Sequence, residues 1–346
     1  MTQLPHNLYT PDQVRDLDSI AIEEHEISGT VLMERAGTAA FNLMQQRWPD
    51  ARNIAVICGT GNNGGDGFVI ARLAHEKQYQ VRVYQLGDAS HIQGDALAAL
   101  QRLEGAGISI RPWAGSEEFS DAEIIVDALL GIGFEGEVHD DFQQAINAAN
   151  KCEAGILAVD VPSGLNALTG GVSGSVIQAD CTISFIGMKQ GLVTGKAKEV
   201  CGELVFDDLR VPAEIYENQL PSAQLINYDE LKNLFDKRHI SAHKGEFGHV
   251  LIIGGDAGMS GAVRMAGEAA LRVGAGLVSI ATRKEHAAIV SSSRPELMCH
   301  GVESAAELKP LLEKASIVAI GPGLGTSKWA EALKSEVMAS ELPLIV

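Results

Sequence analysis

Asn53-Ile54-Ala55-Val56-Ile57-Cys58-Gly59-Thr60-Gly61-Asn62-Asn63-Gly64-Gly65-Asp66-Gly67-Phe68-Val69-Ile70-Ala71 decides the fold of this chain. An apolar run ends at Cys58 and a helical pattern starts at Phe68. Residues 59–67 therefore read as a strand-to-helix turn with five glycines, two adjacent asparagines and one carboxylate. Glycine and asparagine tolerate positive φ, so the turn is expected to fold tightly and aim its N–H groups at a ligand. The helix N-terminus behind it adds a favourable dipole for an anion.

The same alternation extends outward. Thr10-Pro11 reads as N-cap and first position of a helix, and a second helix runs from Gly29 to Trp48, stopped by Pro49. Strands are predicted at 54–58, 81–86, 123–128, 156–160 and 181–185, with a late one at 203–207. Helical patterns lie at 66–77, 92–105 and 140–150. Alternating strands and helices imply an α/β fold, a mostly parallel sheet layered between helices. The chain turns polar around Pro212–Pro221, which sets a domain boundary within 215–240. The pattern then restarts with a strand at 248–253, a glycine-rich turn at 254–261, a helix at 262–273 and a strand at 277–282. A strand at 317–320, Gly321-Pro322-Gly323-Leu324-Gly325, a helix at 327–339 and the apolar run 344–346 follow. The division adopted is 1–222 and 223–346.

The 346 residues, 46% of them hydrophobic, suffice for two cored domains. A net charge of −18 without a Lys/Arg cluster argues against nucleic acid or an anionic membrane as partner. Five cysteines, odd in number and widely spaced without a C-x-x-C pair, read as buried reduced thiols. The polar N-terminus carries no signal-peptide pattern and no apolar run is long enough to span a bilayer. The expectation is a cytoplasmic protein, assembled as a homo-oligomer, that acts on a small molecule.

Three loops follow strands and each brings a carboxylate with glycines. They contain Asp66, Asp127 (in 127–137) and Asp160 (in Asp160-Val161-Pro162-Ser163-Gly164-Leu165-Asn166). In an open parallel sheet such loops converge on one crevice, where ligands bind. Gly59, Gly61 and Gly64 fit the G-x-G-x-x-G dinucleotide fingerprint, a weak match alone. Asp66 at the helix entry would repel a pyrophosphate, which strains a Rossmann dehydrogenase reading. Side-chain oxygens of Asn63, Asp127 and Ser163 could instead gather around a hard cation, K⁺, Na⁺ or Mg²⁺. Lys189 and Lys196, in the glycine-rich run after the strand at 181–185, read either as phosphate holders or as solvated loop residues.

N-N-G-G-D-G at 62–67, V-D-A-L-L-G-I-G at 126–133, V-D-V-P-S-G-L at 159–165 and L-M-E-R-A-G at 32–37 together resemble the YjeF N-terminal domain. That resemblance covers about residues 8–220. H-K-G-E-F-G-H-V-L-I-I-G-G at 243–255, S-G-A at 260–262, A-A-L-R-V-G-A-G-L-V at 269–278 and G-P-G-L-G at 321–325 resemble the start of a ribokinase-like dehydratase domain. The fusion is similar to bifunctional NAD(P)H-hydrate repair enzymes. The resemblance implies a Rossmann-like three-layer αβα sandwich that epimerises the R and S forms of hydrated nicotinamide cofactors, NADHX and NADPHX. The second domain would dehydrate the S form with ADP or ATP and Mg²⁺. By position, Asn62, Asn63, Gly64, Gly65, Asp66, Gly131, Ile132, Gly133, Phe134, Glu135, Gly136, Glu137 and Asp160 would bind the hydrate. Asn63, Asp127 and Ser163 would hold K⁺, and Ala262 and Gly323 would bind substrate in the dehydratase.

Asp160, at a strand end beside the rigid Pro162, is the expected general acid/base or electrostatic stabiliser. Asp160→Asn is expected to abolish epimerisation and leave the fold intact. The family's further phosphate-binding and catalytic loops are not seen before Val346, so the ribokinase-like domain is expected to be incomplete and its dehydratase inactive. The competing classes are a conventional NAD-linked oxidoreductase and a non-catalytic nucleotide-binding module.

Overall fold

The computed structural model describes residues 4–115, 119–234 and 237–346. They form two compact units, Met1–Leu231 and Lys232–Val346. The first unit holds a sheet of seven strands: β1 Asn53–Cys58, β2 Gln80–Gln85, β3 Ile110–Pro112, β4 Ile124–Ala128, β5 Gly155–Val159, β6 Cys181–Phe185 and β7 Glu203–Asp207. Their order is β3-β2-β1-β4-β5-β6-β7 and every pairing is parallel. The order reverses between β1 and β4, the place where doubly wound sheets open a ligand crevice.

The longer helices of this unit among the described residues are α1 Pro11–Glu23, α2 Gly29–Arg47, α3 Asn62–Glu76, α4 Gly94–Gly105 and α5 Asp140–Lys151. The capping expectation for α1 is met. The Thr10 hydroxyl accepts from the Gln13 amide and the Gln13 side chain accepts from the Thr10 amide, with Pro11 at the first position. Strands buried on both faces read as unbroken apolar runs. In β1, Ile54, Val56 and Cys58 join the core beneath α2, α3 and α4. Ala55 and Ile57 join the opposite core beneath α5. A two-residue antiparallel ladder, Asn7–Leu8 with Ala223–Gln224, ties the chain's start to the end of this unit and went unread in the sequence.

The glycine-rich stretch is a helix, not a turn. α3 begins at Asn62, with Gly61 as its N-cap, so 62–67 are its first residues. None of its glycines takes a positive φ. Their purpose is close approach. A Cβ on Gly59 would lie 1.9 Å from the Leu129 carbonyl oxygen, and one on Gly64 2.2 Å from that of Gly59. On Gly65 it would strike Met33 of α2 at 2.6 Å and Ala96 of α4 at 2.9 Å. On Gly67 it would strike Cys58 and Ala128 at 2.7 Å. Missing side chains therefore let α3 sink between α2 and α4 and onto the ends of β1 and β4.

The second unit carries a five-stranded parallel sheet: β8 His249–Ile253, β9 Leu277–Thr282, β10 Met298–Gly301, β11 Ile317–Ile320 and β12 Leu344–Ile345. Its order is β10-β9-β8-β11-β12. Its helices are α6 Ser260–Val273, α7 Lys284–Ser293, α8 Ala305–Leu312 and α9 Lys328–Met338. α7, β10 and α8 went unread in the sequence. α6 starts two residues before the expected position and ends on Gly274 in the left-handed conformation. All five cysteines are free, three of them buried. Among the described residues no helix is long and apolar enough to cross a membrane.

Candidate active site

The three acids do not share one crevice as equals; they fall into two clusters. Asp127 is the next-to-last residue of β4, wholly buried, in register with Ile57 of β1 and Ala158 of β5. Its Oδ1 accepts from the Ser163 hydroxyl at 2.5 Å and from the Leu129 amide at 3.3 Å. Its Oδ2 accepts from the Ser163 amide at 2.8 Å. Burial pushes the Asp127 carboxyl up to about 6, against the opposing pull of Ser163. The Leu130 amide donates to Ser163 Oγ at 2.9 Å, and Asn63 Nδ2 donates to the Leu130 carbonyl at 3.1 Å.

Asn63 is 8% exposed, and its Oδ1 is buried with no hydrogen-bond partner among the described residues. A buried amide oxygen left without a donor costs roughly 1–3 kcal/mol. A cation would supply the missing partner and favour the Asp127 carboxylate. The donors here are all oxygen: Asn63 Oδ1, Asp127 and Ser163 Oγ. That set suits a hard cation and not zinc.

The second cluster surrounds Asp160, the first residue beyond β5. Its φ of +64° is left-handed, as is that of Ile186 (+59°) just beyond β6. Such non-glycine conformations cost of order 1–3 kcal/mol each and gather at working sites. Asp160 Oδ1 forms an ion pair with Lys189 Nζ and lies 3.4 Å from both the Ser184 hydroxyl and the Phe185 amide, which donate to it. Lys189 is 1% exposed, and its ammonium also donates to Ser184 Oγ at 3.1 Å and to the Phe185 carbonyl at 3.0 Å. The solvated-loop reading of Lys189 is thereby overturned. Asp160→Asn would leave this buried ammonium without its carboxylate, a cost in stability beside the expected loss of activity.

Two more carboxyls feel the charges of this pair. Burial, then the charges of Asp160 and Asp18, push Asp66 well above the usual carboxylate range, with Lys189 opposing. Raising the carboxyl weakens the objection that Asp66 repels a pyrophosphate. Burial likewise raises Asp18 on α1 to about 6, Lys189 opposing and Asp160 adding to the rise.

The expected substrate loop leaves β4 just past the Asp127 cluster. A Cβ on Gly131 would lie 3.1 Å from Asn63 Cβ. Ile132 and Phe134 pack partly into the core, and the Ile132 carbonyl accepts from Arg15 Nη2 at 3.5 Å. Gly133, Glu135, Gly136 and Glu137 are exposed. Asn62 is exposed on the first turn of α3, while Gly64 and Gly65 are buried.

In the second unit the two glycine-rich loops meet between β8 and β11. The Gly255 amide donates to the Pro322 carbonyl at 2.9 Å and the Asp256 amide to that of Gly323 at 2.7 Å. Gly323 has φ +62°, and a Cβ on it would lie 3.0 Å from that of Ala262. These two expected site residues are thus neighbours. Asp256 accepts from Ser327 Oγ at 2.5 Å and Arg283 Nε at 2.8 Å, and Ser327 foremost holds its carboxyl below the usual range.

Comparison with known proteins follows this division. The family model described as YjeF-related protein N-terminus matches residues 29–191, and that of NAD(P)H-hydrate dehydratase matches 250–346. A bifunctional NAD(P)H-hydrate repair enzyme from Coxiella burnetii is 48% identical over 98% of the chain and 69% of its own length. The chain belongs to the bifunctional NAD(P)H-hydrate repair enzymes. The Escherichia coli member is 40% identical over 99% of the chain and 66% of its own length. The chain thus spans about two thirds of these relatives. A solved ADP/ATP-dependent NAD(P)H-hydrate dehydratase from Bacillus subtilis is 24% identical over 34% of the chain and 43% of its own, with a TM-score of 0.29, too slight a likeness to argue from. The expectation of an incomplete second domain finds no support in the dehydratase match.

Asp18 is the residue that sequence reasoning missed, and the pairing of Lys189 with Asp160 was not foreseen. A signal for Asp18 was present. Val14, Leu17, Asp18 and Ala21 share one helical face, and the three apolar ones are buried. A carboxylate on that stripe has to meet a partner.

Proposed function

We propose that the first unit epimerises the R and S forms of hydrated NADH and NADPH, with Asp160 as the proton-transfer residue. The observation that carries this reading is the Asp160 cluster: a strained, partly exposed carboxylate beside a buried lysine and two carboxyls of raised pKa. Perturbed groups of this kind gather where protons are moved. Family membership supports the substrate class. The carbon at issue, C6 of the nicotinamide ring, bears a hydroxyl and the ring nitrogen, so inversion needs a C–O or C–N bond to open and re-form. Either route moves one proton at the hydroxyl, the task given to Asp160.

Asn63, Asp127 and Ser163 would hold K⁺, and the unpartnered Asn63 Oδ1 and the raised Asp127 carboxyl support that assignment. When bound, K⁺ supplies positive charge that neutralises Asp127 and assists the substrate's phosphates. Asn63 and Ser163 then fix the Leu130 peptide, which begins the loop 131–137 assigned to substrate. Asn62, Gly64, Gly65 and Asp66 would line the same site from the first turns of α3. In the second unit Ala262 and Gly323 would contact the S hydrate for an ADP- or ATP-dependent dehydration with Mg²⁺. The test is direct. A mixture of R and S hydrates is incubated with the protein, and their interconversion is followed in K⁺ and in choline salts. Interconversion faster than in buffer, and faster in K⁺, is expected. A rate equal to the spontaneous one refutes the proposal.

A further inference from the structure

Lys189 carries the strongest unassigned signal. A lysine almost never sits at 1% exposure without a dedicated partner. All three of its N–H donors are engaged: Asp160 Oδ1, Ser184 Oγ and the Phe185 carbonyl. The ammonium has no donor left for a ligand, so its effect on chemistry must pass through Asp160. Asp160 Oδ1 takes all three of its hydrogen bonds, from Lys189, Ser184 and the Phe185 amide. Its Oδ2 accepts none from the described residues and is not among the buried atoms without partners. The side chain keeps 14% of its surface. One oxygen is fixed and the other is open.

We propose that Lys189 is a positioning residue of the epimerase site, pinning Asp160 by Oδ1 so that Oδ2 alone meets the substrate as a general base. This rests on the epimerase reading. With Oδ1 held by three donors and Oδ2 open, the carboxylate meets the C6 hydroxyl as a proton acceptor, and ring opening is the route that begins with that step. Asp160 Oδ2 takes the proton of the C6 hydroxyl. The O–H electron pair becomes the second bond of a C6 aldehyde, the C6–N1 bond breaks, and its electrons stay on N1. Oδ2 then returns the proton to N1. Rotation about C5–C6 turns the other face of the aldehyde to N1, and the reverse sequence closes the ring as the epimer. No atom is lost and no oxidant is needed, and one base on one side suffices. The groups that face Asp160 are Lys189 itself, Ser184, Asp18 from α1 and Asp66 from α3.

The test uses the full chain and mixed hydrates. Lys189→Met keeps the apolar stem; it should stay folded by circular dichroism while kcat falls on the order of 10²-fold with KM nearly unchanged. Lys189→Ala should lose activity and regain about tenfold or more with ethylammonium, but not with tetramethylammonium at equal ionic strength. In heavy-oxygen water the wild-type product should retain its original C6 oxygen. Folded Lys189→Met with near wild-type kcat overturns the positioning role, and so does rescue by either cation alike. One solvent oxygen incorporated per conversion overturns the base assignment. A wild-type chain with no epimerase activity overturns the epimerase reading and this inference with it.

Discussion

Asp160→Asn tests the Asp160–Lys189 pair by stability as well as by rate. The partners are 14% and 1% exposed, so the interaction is little screened. Removing one partner of a buried pair costs roughly 3–5 kcal/mol, because the other charge is left uncompensated. The lower end applies here. Ser184 Oγ and the Phe185 carbonyl still accept from the ammonium, and an asparagine keeps one acceptor oxygen. For a domain of 150–250 residues, about 3 kcal/mol lowers Tm by roughly 6–12 °C. Scanning calorimetry on the full chain would read this in the transition of the first unit. Asp160→Asn with Lys189→Met removes both charges and should recover most of the loss while epimerisation stays at the spontaneous rate. A single variant melting within about 2 °C of wild type would refute a buried, dependent ammonium.

Three further outcomes are expected. Asp18 has a folded-state pKa of about 6, raised from 3.8, so its protonated form is the stabilising one. Its contribution is complete below about pH 4 and is lost as pH rises through about 6. Asp18→Asn should therefore match wild type near pH 4 and exceed it by up to about 3 kcal/mol near pH 8 in urea unfolding; equal stability at both would contradict the burial. Asn63→Ala should abolish the rise in Tm that K⁺ gives over choline, worth about 1.4 kcal/mol at ten times Kd, and an undiminished rise would remove Asn63 from the ion's ligands. Gly59→Ala sets a Cβ against the Leu129 carbonyl at 1.9 Å, and should destabilise by roughly 1–3 kcal/mol in chemical denaturation.

The strands and the two sheets were legible because parallel strands buried on both faces leave unbroken apolar runs, as at 54–58 and 124–128. The site's loops were legible because each follows such a run. The purpose of the glycines in α3 was not. Whether Gly65 serves a turn or a close contact depends on Met33 and Ala96, which come from other helices. Lys189 was illegible for the same reason. Only the fold shows that α1 packs against the turn after β6, where a Cβ on Gly187 would meet Val14 at 2.9 Å, and that the lysine two residues on is buried. Asp18 was visible as a misfit on an apolar stripe, but the charges it meets, Lys189 and Asp160, come from the turns after β6 and β5. Backbone strain at Asp160 leaves no mark in sequence, since aspartate is common in ordinary turns.

Leu130 has a consequence larger than its side chain. Its carbonyl accepts from Asn63 and its amide donates to Ser163, and the next residue opens the loop assigned to the hydrate. The backbone of this one residue therefore belongs at once to the oxygen cluster and to the start of the proposed substrate loop. Any ligand that orders this backbone lowers the cost of ordering it for the other. Such coupling is reciprocal by thermodynamic necessity: the factor by which the ion tightens the hydrate is the factor by which the hydrate tightens the ion. Titrating either ligand in the presence of the other measures one and the same free energy.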